Sequence, residues 1–173
     1  AVDIIEDMDV EDAAAIINEM MSDEQADLIM ELHEKDAEAI LTEINPSEAA
    51  GLRKLIEYDP QTAGGLMLTE YISYKETATV KEVIEDLKKN SEKYKYYHVR
   101  YIYVLSRQGV FLGVLQMQDL LLADPSQHLS EIVIKDVIAI HVNASLDEVS
   151  DLFDTHDFYG IPVIDDHKKL IGI

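Results

Sequence analysis

The sequence predicts an α+β multidomain protein, an all-α helical-repeat superhelix followed by a tandem pair of small α/β units. Two observations carry this. Acidic and apolar residues recur every 12 positions through residues 1–57, and a strand-helix-strand pattern occurs twice in the remainder. Ile72, Tyr74, Ala78, Val80, Val83 and Leu87 stand 66 positions before Ile138, Ile140, Ala144, Leu146, Val149 and Phe153. Leu112-Gly113-Val114 stands 59 positions before Ile171-Gly172-Ile173, so the first copy holds seven extra residues between helix and strand. Two copies of one unit predict a pseudo-twofold pair with a cleft between them, which favours ligand sensing over chemistry.

In the first region acids recur at Asp12, Glu24, Asp36 and Glu48. Apolar residues recur at Ile16, Leu28, Ile40 and Leu52, and again at Met20, Leu32, Ile44 and Ile56. Ala14, Ala26 and Ala50 fill a third register, which Glu38 breaks. Each unit reads as a helix of two to three turns whose acidic start complements the helix dipole. Asn45-Pro46-Ser47 is a break followed by a new helix start. Helices this short must stack to be stable, so a right- or left-handed solenoid is expected. Ile4, Ile5 and Met8 already match Ile16, Ile17 and Met20, so the chain is expected to begin inside the repeat. The methionines at 8, 20, 21 and 30 follow the helical period and read as core.

Residues 58–65, YDPQTAGG, read as a junction with little secondary structure, its Gly64-Gly65 pair marking a turn. Thr79 or Thr77 is placed to cap a helix over roughly 80–90, and Ser145 one over roughly 146–156. Residues 101–105 and 161–164 are β-branched or aromatic runs that read as buried strands. Gln108-Gly109 and Asp166-His167 precede return strands at 111–115 and 169–173. A helix over 117–123 ends at Asp124-Pro125, and the second copy is expected to stop before its counterpart. The boundaries are therefore 1–60, 61–125 and 126–173, the first domain N-terminally and the last C-terminally incomplete.

The net charge is −21. Residues 1–60 carry 18 acids and 3 bases, and residues 61–173 carry 17 acids and 11 bases. That speaks against nucleic acid and anionic lipid as partners, since both need a basic face. It fits either a solvated surface or a site for hard divalent cations. Without cysteine there is neither disulfide nor thiolate metal site, and a reducing cytoplasm fits. The six histidines show no metal-ligand spacing, which argues against zinc. No P-loop, dinucleotide fingerprint or catalytic triad stands out, so the chain does not read as an enzyme.

The duplicated unit resembles a tandem pair of CBS domains. The resemblance rests on the hydrophobic strand before an A-[ST]-[VL]-x-E-V helix and on the hairpin ending in [LI]-G-[VI]. It rests also on Gly113-Val114-Leu115-Gln116-Met117-Gln118-Asp119, where Gln116 replaces the motif's Ser/Thr. The acidic helical repeats, YDPQTAGGLMLTEYISY, YIYVL and LLLADP together resemble the cytosolic region of the MgtE magnesium transporter/channel family. That resemblance implies a Mg2+ sensor on the cytoplasmic face of the membrane, not an enzyme, joined by a connecting helix to a transmembrane pore. It implies that Mg2+ between domains keeps the pore closed, and that the CBS pair also binds ATP.

The resemblance assigns Mg2+ to Asp157, in HDFYGIPV, to Asp147 at the start of the same helix, and to Glu11 and Asp12. Like charges at about 4 Å and an effective dielectric of about 20 repel by roughly 4 kcal/mol. A divalent ion between them reverses the sign. For adenine nucleotide, the motif position puts Asp119 at the ribose hydroxyls, with Tyr101 and Phe158 flanking the base and the backbone near Pro162 at its edge. A nucleotide-sensing CBS module with a merely solubilising acidic surface is the alternative. The helices carry apolar residues on more than one face (Val83, Ile84, Leu87; Val149, Leu152, Phe153), which predicts a homodimer through the CBS units.

Overall fold

The computed structural model describes residues 2–95, 97 and 100–173. The helical region is built of α1 (Val2–Glu6), α2 (Val10–Asn18), α3 (Ser22–Glu31), α4 (Glu34–Glu43) and α5 (Pro46–Leu55). Helix α2 packs on α4, and α3 and α4 pack on α5, as stacked short helices require. Leu28, Ile40, Leu52, Leu32 and Ile44 are buried as the 12-residue period demands. Three residues leave the pattern. Ile16 and Met30 are exposed, and Ala49 rather than Ala50 is buried. At the Asn45-Pro46 break, the Asn45 side chain accepts the Ser47 N–H at 3.0 Å and Pro46 opens α5.

A short helix α6 (Ala63–Leu66) follows, where the glycine pair had read as a turn. The glycines serve close approach instead. A Cβ on Gly64 would lie 2.6 Å from Val142 Cγ2, and one on Gly65 2.5 Å from the Asp59 carbonyl oxygen.

The first α/β unit contains β1 (Ser73–Lys75), α7 (Val80–Lys89), α8 (Ser91–Tyr94), β2 (Tyr101–Leu105), β3 (Phe111–Gln116) and α9 (Met117–Leu122). Helix α10 (Leu129–Ile132) leads to the second, made of β4 (Ile140–His141), α11 (Leu146–Thr155), β5 (Val163–Ile164) and β6 (Leu170–Gly172). Each unit has a three-stranded sheet, parallel then antiparallel. The strand expected over 161–164 is confined to its last two residues, although Ile161 and Pro162 are buried. Thr79 and Ser145 each cap their helix with a reciprocal Glu82 or Glu148 bond. Gly109, at φ +85°, supplies the left-handed turn before β3.

The pseudo-twofold is written in the hydrogen bonds. The Ala63 N–H donates to the Ala144 carbonyl at 2.8 Å, and 66 positions on, the Leu129 N–H donates to the Ala78 carbonyl at 2.9 Å. Thr62 bridges Ser145 as His128 bridges Thr79. Leu68 pairs with Ile173, and Ile134 pairs with Val114. Thus the segment entering each unit is bonded to the other unit, α6 on the second and α10 on the first. Val110 bridges Lys169, its own counterpart at offset 59, where the symmetry axis passes. Ala63, Met67, Ile140, Val142, Ile161 and Val163 join the apolar cluster of the helical repeats, so the helical region and second unit share one core. No described helix is long and apolar enough to cross a membrane.

Candidate functional site

Between the two units lies a cleft of about 350 Å³. Strand β2 contributes Tyr101, β3 contributes Val114 and Gln116, and the segment before β5 contributes Phe158, Gly160 and Pro162. The three positions named for a base, Tyr101, Phe158 and Pro162, therefore converge. One face of Phe158 is already taken, since the His156 ring stacks on it at 4.8 Å and 4°. The Pro162 carbonyl accepts the Ile140 N–H at 2.9 Å. Asp119 is exposed in the first turn of α9 and does not line this cleft, whereas Gln116 does.

The symmetry-related space is different. It is about 190 Å³ and is lined by Tyr71, Tyr97, Tyr103 and Tyr159, with Arg100. The Arg100 guanidinium sits 3.7 Å from the Tyr159 ring centroid, and Tyr71 meets Tyr103 edge-on at 5.9 Å. Burial pushes the Tyr71 and Tyr103 hydroxyls above the usual phenol range. Tyr71 and Tyr103 stand in this space at the positions that Val137 and Pro162 occupy in the other.

The acids assigned to Mg2+ are all exposed. Glu11 and Asp12 lie in the first turn of α2, Asp147 in the first turn of α11, and Asp157 just beyond its C-cap His156. None of the four belongs to a group of three or more metal-ligating side chains among the described residues. Their donor set, carboxylate oxygen throughout, fits a cation that keeps most of its water and takes one or two protein ligands.

Three acidic features escaped the sequence reading. Glu6, His33 and Asp36 bring ligand atoms within 4.8 Å of one another. Glu6 Oε1 accepts the His33 backbone N–H at 3.0 Å and stands 2.6 Å from Nδ1. The backbone bond leads in holding Glu6 below 4.5, and the side-chain bond leads in raising His33 above 6.5. Asp23 Oδ1 is buried without a hydrogen-bond partner among the described residues, beside Val149 and Phe153 of α11. Asp23 stands 12 positions after Glu11, which is the signal that could have found it. Ser22, itself buried, clamps the helical region to the first unit. Its hydroxyl donates to Glu70 Oε2 at 2.7 Å, its N–H donates to Oε1 at 3.2 Å, and the Thr69 N–H donates to the Ser22 hydroxyl at 2.9 Å.

Residues 1–61 match the MgtE intracellular N domain, and residues 63–126 and 129–173 match the CBS domain. The chain belongs to the MgtE family. The magnesium transporter MgtE of Thermus thermophilus is 34% identical over 129 residues, which are 75% of this chain and 28% of the relative's length. The crystal structure of the soluble part of a magnesium transporter superposes with a TM-score of 0.90 at 27% identity, covering 99% of this chain and 66% of that one. The cytosolic domain of the Mg2+ channel MgtE in complex with ATP superposes with a TM-score of 0.83 at 28% identity, covering 99% of this chain and 75% of that one. The chain thus spans less than a third of that MgtE relative, and its helical and paired units are the family's N domain and CBS pair.

Proposed function

We propose that this chain is the cytosolic Mg2+-sensing regulatory region of an MgtE-like magnesium transporter or channel, not an enzyme. Its parts are an acidic N domain over 1–60 and CBS domains over 61–125 and 126–173. It stands on the cytoplasmic face of the membrane and acts on the pore through a connecting helix. The observation that carries this reading is an N domain of net charge −15 that meets the CBS pair through a shared apolar core and the Ser22–Glu70 clamp while its acids at Glu11 and Asp12 stay exposed. Self-repulsion favours separation of such parts, and a divalent cation between their acids favours closure and the closed pore. Glu11 and Asp12 are the N-domain acids in this scheme, and Asp147 and Asp157 those of the CBS pair. Asp23 joins them, because it carries a buried partnerless oxygen and lines a groove with Val149 and Phe153 of the CBS pair.

Asp157→Asn tests the reading, since it keeps the size and removes the charge. Calorimetry should record weaker Mg2+ binding, with an unchanged circular dichroism spectrum. In a full-length transporter the pore should stay more open at high Mg2+. An unchanged Mg2+ titration with raised thermal stability would make Asp157 an ordinary surface acid.

A nucleotide-sensing role is favoured by the open cleft that gathers Tyr101, Phe158 and Gln116. It is compatible with Mg2+ sensing, and the structurally similar MgtE domain holds ATP. Dimerisation through the CBS units is favoured by an apolar groove of about 380 Å³ lined by Ile84, Leu87 and Leu121. Leu121 and Leu122 are 65% and 77% exposed beside it, whereas Val83 is buried in its own unit. Leu121→Glu with Leu122→Glu should convert a sedimenting dimer to a monomer, and a wild-type monomer at tens of micromolar would remove the proposal.

A further inference from the structure

Inside the N domain, one cluster among the described residues differs in chemistry from the oxygen-only acids assigned to Mg2+. Glu6 of α1, His33 at the N-cap of α4 and Asp36 in the first turn of α4 bring one imidazole nitrogen and two carboxylate oxygens within 4.8 Å of one another. His33 and Asp36 stand three positions apart at one helix start, so they share a face, and Glu6 comes from a different helix. The Glu6 side chain is 18% exposed and the His33 ring 81%, so the carboxylate is held while the ring can turn. The His33 backbone N–H fixes Glu6 Oε1 at 3.0 Å, the kind of outer hydrogen bond that orients a ligating carboxylate.

Helix capping does not account for this histidine. Helices α2, α3, α4 and α5 are entered through Asp9, Met21, His33 and Asn45, one repeat apart, and α4 alone of the four has an imidazole there. Histidine is not favoured at an N-cap, and the His33 side chain makes no capping bond. The bond that Glu6 accepts there needs only the backbone of residue 33. Both carboxylates instead favour positive charge on the ring. The Glu6 hydrogen bond leads, with the Glu6 and Asp36 charges behind it, in raising His33 above 6.5. A metal ion on Nδ1 puts positive charge in the same place. The 2.6 Å between Nδ1 and Glu6 Oε1 is under about 1 Å short of the spacing between neighbouring ligand atoms around an ion with bonds of roughly 2.0–2.1 Å.

We propose that Glu6, His33 and Asp36 form a site for a divalent transition ion of the Zn2+ type, which pins α1 to the start of α4. Mg2+ takes oxygen ligands, whereas one imidazole beside two carboxylates suits zinc and its neighbours, with water in the remaining position. The expectation against zinc looked for spaced histidines, and this set needs only one because the contact between α1 and α4 supplies the rest. The site lies within the N domain, so it is independent of Mg2+ between domains and gives that domain a response to a second class of ion.

The test is calorimetric titration of the whole 173-residue chain with ZnCl2, at mildly alkaline pH and with MgCl2 in excess to occupy oxygen-only sites. A saturable zinc site should persist under those conditions, and Co2+ in its place should broaden the His33 ring protons in NMR before those of the other histidines. His33→Asn installs a favoured N-cap, so α4 should hold while zinc affinity falls roughly tenfold or more. Glu6→Gln keeps an oxygen for the His33 N–H and should weaken zinc to a similar extent. Zinc should raise the melting temperature of the unsubstituted chain and not that of His33→Asn. Zinc affinity unchanged in both variants would overturn the proposal by placing the ion elsewhere. Displacement of zinc by MgCl2 would overturn it by showing that the imidazole confers no selectivity, and absence of zinc binding would overturn it outright. None of these outcomes touches the reading of Mg2+ between domains.

Discussion

The two CBS units share a pattern, and within residues 1–173 the first includes the helix that covers its core while the second does not. In the first, α7 buries Val80 and Val83 completely, and Leu120 of α9 completes the core with no exposure. In the second, α11 has no fully buried residue, Phe153 is 44% exposed, and a groove of about 360 Å³ runs along Val149, Phe153, Ile161 and Val163. Val149, Ile161 and Val163 are the counterparts of Val83, Ile102 and Val104, which surround Leu120's core in the first unit. The clefts between the units differ in the opposite sense, because tyrosines fill one and leave the other open. The position that matches Leu120, 59 residues on, lies past residue 173, so this contrast in burial is between the residues given for each unit and not a difference of design.

Core truncation should separate the units most. Leu120→Ala is expected to cost about 2–5 kcal/mol in urea unfolding, and Phe153→Ala under about 1 kcal/mol because a half-exposed ring gives up little burial. Equal costs would mean that the groove is closed in solution, and the contrast would fail. Next come the caps, where the units should agree. Thr79→Ala and Ser145→Ala should each cost about 1 kcal/mol, since cap geometry is the same in both. The caps also set a common acid response. Hydrogen bonds, led by those from the backbone of Thr79 and Ser145, hold Glu82 and Glu148 below 4.5. Their contribution is present above pH 4.5 and is lost as the pH falls through the lowered folded values. Titrating each carboxylate by carbon-detected NMR should give two depressed and similar midpoints, and a normal midpoint at either would break the equivalence. The smallest effect belongs to the filled cleft. Arg100→Ala should cost about 0.5–1 kcal/mol through the lost cation–π contact, with no change in ATP affinity. A second ATP equivalent appearing on Arg100→Ala would show that this side chain is what keeps the smaller cleft closed.

Much of this architecture was legible because it depends on local chemistry. The 12-residue period gave helices and most of their buried faces, and Thr79, Ser145, Asn45 and Gly109 marked caps and turns that need no tertiary information. The exchange of α6 and α10 was not legible. Each is four residues long, too short to show a period, and is bonded to the other unit as well as within its own turn. Tyr101 and Phe158 are assigned to the cleft by the resemblance to CBS pairs, whereas the stacking of His156 on Phe158 follows from side-chain rotation that spacing does not encode. The Glu6–His33 pair spans 27 positions and exists only once α1 meets the start of α4. Ser22 read as an ordinary helix start, and its partner Glu70, 48 residues on, gives it the clamp's role.

The central claim is that Mg2+ joins the acidic N domain to the CBS pair by bridging. Small-angle scattering of the isolated chain, titrated with MgCl2 and in parallel with NaCl at matched ionic strength, tests it most directly. The account predicts that the radius of gyration falls sharply and saturably with Mg2+ and only weakly with NaCl, which screens repulsion but joins nothing. Equal compaction by the two salts would contradict it.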